Sequence, residues 1–160
     1  MPAKTASDSV NNSLSMPTLR QAREGDLDHV RRSLLACELP VDDLSAAKLE
    51  RFLLAEDGDE IVGLIGLELF GTTGLLRSLV VEKRARSRGL GGKLVGALEA
   101  AAQAAGVTDL WLLTIDAERF FERHGYEIVA RRDVPEAIRQ TEEFGELCPD
   151  SAFLMTKSLK

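Results

Sequence analysis

The chain reads as a single α/β domain, a mixed and mostly antiparallel sheet of six to seven strands flanked by helices. Three observations carry that expectation. Short apolar runs with alternating or continuous patterning are interleaved with stretches of helical period. Turn signals such as Asp57-Gly58-Asp59 and Gly71-Thr72-Thr73-Gly74 separate neighbouring runs and predict hairpins. One run, Leu75–Val81, leads through a glycine-bearing turn straight into an alanine-rich helical pattern. At 160 residues, 44% hydrophobic and 29% charged, the composition suits one globular domain with its own core.

The elements follow in order. Residues 1–17 are rich in Ser, Asn and Thr and lack an apolar core segment, so they are expected as an N-terminal tail, with the domain spanning 18–160. Thr18–Arg23 alternates as a first strand. Gly25-Asp26 opens a helix with Leu27, Val30, Leu34 and Leu35 on one face. A short helix is expected from Leu44 to about Arg51, then a strand at Phe52–Glu56 and its return at Ile61–Phe70. Gly63 and Gly66 in that return mark a bulge or a close backbone approach. After the Leu75–Val81 strand, a helix over 92–105 places Leu94, Ala97, Leu98, Ala101 and Ala105 on one stripe, and Gly106 ends it. Leu110–Thr114 is a continuous apolar strand, as needed where both faces are covered. A short helix over Ala117–His124 stops at Gly125. A strand at Tyr126–Ala130, a polar helical stretch from Pro135 to about Phe144, and a last strand at Ser151–Thr156 complete the chain.

Charge and cysteine usage narrow the partners. The net charge of −6 disfavours nucleic acid, and the basic residues Lys83, Arg84, Arg86 and Arg88 cluster beside the glycine turn. Two cysteines, Cys37 and Cys148, do not form a disulfide framework and suit a reducing compartment, the cytoplasm. His29 and His124 lie far apart, and no Cys/His grouping has metal-ligand spacing. No apolar run reaches the roughly 18 residues of a membrane span. Neither nucleic acid nor a membrane is therefore an expected partner, and homodimer formation is left open.

The glycine turn Arg86-Ser87-Arg88-Gly89-Leu90-Gly91 sits between strand and helix, where backbone N–H groups and the helix N-terminus make a cradle for a diphosphate. Spacing decides which kind. A P-loop fails, because Ser87 replaces its first glycine and Leu94 follows Gly92-Lys93. A dinucleotide fingerprint fails at Leu94, its third glycine place. The pattern Arg/Gln-x-x-Gly-x-Gly/Ala fits, and it resembles the pyrophosphate loop of the GNAT (Gcn5-related) N-acetyltransferases. A solvated basic loop is the plain alternative, and the flanking strand and helix weigh against it.

A second motif extends the resemblance. Ala117-Glu118-Arg119-Phe120-Phe121-Glu122-Arg123-His124-Gly125-Tyr126 is similar to the GNAT segment after the fifth strand, with Phe121 where many members carry a tyrosine acid. Leu112-Leu113-Thr114, Val134–Arg139, Glu143-Phe144 and Leu147–Ala152 resemble the ArsN-type acetyltransferases associated with arsenic resistance and, more loosely, N-acetylglutamate synthases. The resemblance implies a GNAT fold and acetyl-CoA as cofactor. It also implies direct attack by a neutral amine on the thioester, with both bound at once. Leu79, Val80 and Val81 would hold the pantetheine arm by backbone pairing. Arg86, Ser87, Arg88, Gly89, Leu90, Gly91, Gly92 and Lys93 would hold the diphosphate.

The remaining tasks are deprotonation and acceptor recognition. Glu68, beside the Leu75–Val81 strand, is the first candidate base and Glu82 the second; for each, a solvated charge is the plain alternative. Arg77 interrupts an apolar strand, which is costly unless its charge is paired or faces a pocket. It is the candidate fork for an acceptor carboxylate, Ser78 is a further acceptor-side candidate, and Cys148 either lines the acceptor pocket or is a small buried thiol. Tyr126 reads as packing. A peptide or protein N-terminal acetyltransferase and a non-catalytic acyl-CoA-binding module remain as alternatives.

Overall fold

The computed structural model describes residues 17–37, 41, 44–86, 88–141, 144 and 151–159. Ser87, Cys148 and residues 1–16 of the expected tail lie outside the described residues, whereas Pro17 is buried. Seven strands form one sheet: β1 (Thr18–Gln21), β2 (Phe52–Asp57), β3 (Glu60–Phe70), β4 (Thr73–Val81), β5 (Asp109–Thr114), β6 (Glu127–Val129) and β7 (Phe153–Ser158). Their order across the sheet is β1-β2-β3-β4-β5-β7-β6, antiparallel throughout except for the parallel pair β4/β5. The helices are α1 (Leu27–Ala36), α2 (Ala46–Leu49), α3 (Leu90–Ala104), α4 (Glu118–Arg123) and α5 (Glu136–Arg139). Among the described residues no helix is long and apolar enough to cross a membrane.

Several boundaries differ from the sequence reading for identifiable reasons. Helix α3 begins at Leu90, earlier than expected, because the glycines of its first turn hide a helix start that buried Leu90 anchors. Its buried stripe is Leu90, Leu94, Val95, Leu98 and Ala102; Ala101 and Ala105 face outward. On α1 the buried residues are Val30 and Leu34, and Leu35 is exposed. The Leu44–Arg51 helix shortens to α2, with Ser45 accepting from the Lys48 N–H. Among the described residues, the stretch opened by Pro135 gives α5 and a π-helical Phe144.

Helix α3 covers one sheet face, packing Leu94, Val95 and Leu98 on Ile65, Leu67 and Leu76. The other face carries two separate apolar clusters. One gathers Val30 and Leu34 of α1 with Phe52, Leu54, Leu64 and Val80; the other gathers Leu75 and Leu154 with Val134 and Ile138.

An ion pair sets how β1 enters α1. Arg20 donates two hydrogen bonds to Asp26, both 2.9 Å, and its Nε lies 3.0 Å from Glu56. The Arg20 guanidinium holds the Asp26 carboxyl down from 3.8 to about 2, against burial and with help from the Arg23 N–H. A carboxyl depressed in the folded state stabilises above its ordinary pKa and loses that contribution as pH falls through the folded value. Thermal unfolding should therefore show Tm dropping from about pH 4 to pH 2, with Asp26→Asn flattening that limb. An unchanged slope in the variant would show that another group carries it.

Candidate functional site

The sheet opens at its centre. Strands β4 and β5 are in register only at Thr73↔Asp109, Gly74↔Leu110 and Leu75↔Trp111, after which β4 continues to Val81 and β5 to Thr114. A wedge therefore lies between Leu76–Val81 and Leu112–Thr114, and backbone groups on its walls lack a strand partner across it.

The wall of the wedge is shaped by a bulge. Pairing of β3 with β4 shifts between Leu64↔Val80 and Gly66↔Arg77, so β4 holds one extra residue there. Ser78, φ 63°, is the non-glycine residue with positive φ among those described. Such a conformation costs about 1–3 kcal/mol and persists where surrounding structure imposes it. It resets the alternation, so Arg77 and Val80 share a face although they are three apart. Beyond the bulge the Glu82 N–H donates to the Val62 carbonyl at 2.8 Å. Alternation then turns the N–H and C=O of Val81 toward the wedge.

Arg77 and Glu68 meet on the face opposite α3, between the two apolar clusters. Arg77 Nη1 donates to Glu68 Oε2 at 2.8 Å and its Nε to Ser78 Oγ at 2.9 Å. The Arg77 side chain is fully buried and Glu68 is 13% exposed. Lys48 Nζ approaches the same Glu68 oxygen at 3.9 Å. Thus three predicted residues, Glu68, Arg77 and Ser78, come together at the bulge. Glu82 does not join them. It is exposed about four strand residues away, roughly 13 Å along the chain. There it lines a separate groove of about 300 Å³ with His29, Asp59, Glu60 and Arg84.

The glycine loop lies at the open end of the wedge. After a 3-10 turn at Lys83–Ala85, Gly89 adopts φ 76° and opens α3, with no side chain capping the helix. Nothing lies within 4 Å of where a Cβ on Gly89 would stand. An uncapped N-terminus of a fifteen-residue helix under an open glycine fits a diphosphate group. The loop arginines are more engaged than expected: Arg86 Nε donates to the Val81 carbonyl at 2.8 Å, Arg84 pairs with Glu60 at 2.7 Å, and Arg88 lies 3.9 Å from Asp57. Lys93 is exposed, and its N–H closes the first helical turn onto the Gly89 carbonyl.

Gly91 and Gly92 have a role that sequence reasoning missed. A Cβ on Gly91 would stand 3.2 Å from Phe120, and one on Gly92 would stand 2.7 Å from His124 Nε2. The two glycines let α4 lie against the first turn of α3. Nothing local in the sequence signals that contact, since its halves are some thirty residues apart.

The aromatic residues near α4 do not offer an acid. Phe121 is buried, its ring edge-on to Phe120 and Tyr126. Tyr126 is 3% exposed and donates to Glu99 at 3.0 Å. Burial, with the Glu99 carboxylate beside it, pushes the phenol far above its usual value. Tyr126 is a packing residue, as its sequence position suggested.

With this geometry established, the chain can be set beside known proteins. Residues 48–128, just over half of the chain, match the family model described as acetyltransferase (GNAT) domain. No curated protein sequence matches. Among solved structures the chain is similar to N-acetylglutamate synthase from Neisseria gonorrhoeae complexed with coenzyme A and N-acetyl-glutamate, with TM-score 0.80 and 19% identity. That likeness covers 91% of this chain but 36% of the synthase, so the chain spans about a third of that protein. It is similar to Rv2747 from Mycobacterium tuberculosis in complex with CoA and NLQ, with TM-score 0.74, 20% identity, and 90% and 100% of the two chains covered. It is also similar to an acetyltransferase from Staphylococcus aureus, with TM-score 0.72, 20% identity, and 91% and 100% covered. At these identities the likeness establishes the fold.

Proposed function

The chain belongs to the GNAT acetyltransferase family, with acetyl-CoA as its acyl donor, and on that footing we propose that it acetylates the amine of a small zwitterionic, amino-acid-like acceptor. The observation that carries this reading is the Arg77–Glu68 pair at the bulge. A buried ion pair between two apolar clusters is poor value as a stabiliser, because desolvation roughly cancels its attraction. As a template it makes sense. A guanidinium and a carboxylate side by side match the carboxylate and the ammonium of one amino acid, and the site stays neutral overall when that acceptor enters. A glutamate-like or arsenic-bearing amino acid would satisfy the same template.

Bound acetyl-CoA supplies the thioester carbonyl that the amine attacks. The chain's own residues do the rest. Gly89 and the first-turn amides of α3 hold the diphosphate, and the wedge-facing backbone of Leu79–Val81 pairs with the pantetheine arm as an added strand would. A wedge-facing amide of that segment stabilises charge on the carbonyl oxygen. Arg77 fixes the acceptor carboxylate, and Glu68 receives the proton that the ammonium must lose before its nitrogen can attack. Ser78 holds Arg77 in place through Nε. Cys148 belongs to the acceptor side in this reading, and the reducing environment expected from the cysteines fits a cytoplasmic enzyme.

The test is thiol release from acetyl-CoA across paired acceptors: glutamate, phosphinothricin and its arsenic-bearing analogue, each beside the amine lacking its carboxylate. Release should favour the zwitterions by at least about a hundred-fold in kcat/KM, as a site left with an unpaired buried charge discriminates strongly. Equal rates within a pair would overturn the template. Preference for peptides with a free N-terminus would establish the N-terminal acetyltransferase reading in its place.

A further inference from the structure

Helix α4 has six residues, too few to be stable alone, so its placement depends on what holds its ends. Its C-terminal end is held from the far half of the sheet. Lys157 of β7 donates from Nζ to the His124 carbonyl at 2.9 Å and to Glu99 Oε2 of α3 at 3.0 Å. Tyr126 donates to the same Glu99 oxygen, and its ring lies 5.5 Å from the Lys157 ammonium. The cation satisfies a carbonyl at the negative end of a helix, where helical bonding leaves it without a partner.

From that anchor, contacts run to the cofactor loop. His124 Nδ1 donates to the Phe120 carbonyl at 2.9 Å, and the two ring centroids lie 4.5 Å apart with the planes tilted by 36°. Together they fill the space left by the absent side chains of Gly92 and Gly91. Those glycines belong to the turn whose amides face the open N-terminus of α3.

We propose that Lys157, anchored by Glu99, is a positioning residue for the cofactor. It holds α4 against the first turn of α3 and thereby fixes the amides that take the diphosphate. The inference rests on the reading that this loop binds that group, and the experiment separates the two.

CoA affinity is measured by calorimetry, alongside Tm, for the wild type, Lys157→Met, Lys157→Arg, Glu99→Gln and Gly89→Ala. Lys157→Met should weaken CoA about ten-fold, and Lys157→Arg, which can reach the same two oxygens, should recover affinity to within about three-fold of wild type. Glu99→Gln should weaken CoA about three-fold, and it carries the test alone if Lys157→Met does not fold. A lowered Tm with unchanged CoA affinity in Lys157→Met, or in Glu99→Gln if only that folds, overturns the positioning role. Gly89→Ala decides the premise: unchanged affinity there would overturn both readings. Weakening in Gly89→Ala without weakening in Lys157→Met leaves the loop assignment standing and removes the brace.

Discussion

Glu68→Gln is expected to lower kcat by about 10²–10⁴-fold while leaving CoA affinity within about two-fold of wild type. The substitution keeps an oxygen that can accept from Arg77 Nη1 but removes the charge and the capacity to take a proton. Arg77 then keeps a fully buried charge without its carboxylate partner, so a second effect follows. Breaking a buried pair costs about 3–5 kcal/mol, and the partial exposure of Glu68 and the surviving hydrogen bond place this case at or below the lower end. Steady-state kinetics at saturating acetyl-CoA, beside calorimetry with CoA, separates the two. A kcat within ten-fold of wild type would exclude Glu68 as the base and leave the pair as a recognition device only. Glu82→Gln is the control, and its position in the outer groove predicts a near-normal kcat.

The largest effect on stability is expected at Gly66. A Cβ there would stand 2.4 Å from Phe52 Cζ and 2.6 Å from Cε1, and the Phe52 ring has no exposure. The ring is enclosed in the cluster with α1, so it cannot swing out into solvent. Overpacking of this kind costs about 3 kcal/mol, at the upper end of its usual range, and for a chain of this size lowers Tm by about 6–12 °C. The double variant Gly66→Ala/Phe52→Leu makes room for the methyl group and should recover part of that loss through coupling between the two sites. A single-variant Tm within about 2 °C of wild type would mean that the ring moves freely, against the packing described.

How far the sequence reveals this site depends on whether a residue acts locally or through register. The glycine loop is legible because strand, turn and helix start are consecutive, and Gly89 indeed carries the left-handed conformation at the helix start. Gly66 signals a bulge or a close backbone approach; the register shift lies beside it, and the close neighbour is the Phe52 ring rather than backbone. Glu68 and Arg77 each drew attention singly, one as a carboxylate beside the central strand and the other as a charge within an apolar run. Their pairing was not visible, because it depends on the cross-strand register next to the bulge. The bulge is marked only from the partner strand, by Gly66 beside the register shift, and on β4 itself Ser78 rather than glycine occupies it. The wedge is equally silent: β4 reads as one continuous apolar strand whether or not a neighbour runs beside its second half. Insertion of β7 between β5 and β6 places Lys157 beside α4, and strand order across a sheet is not written in local pattern.

The parting of β4 from β5 bears on how a reaction cycle ends. In the proposed reading the wedge-facing backbone of Leu79–Val81 would bond the carrier arm and the glycine loop the diphosphate, while one amide of that strand would meet the acetyl carbonyl oxygen. Most of what the protein would grip is then the portion of the donor that the reaction leaves unaltered. The spent carrier would therefore leave against nearly the same bonds that drew the loaded one in, and exchange of one for the other would depend largely on their relative abundance.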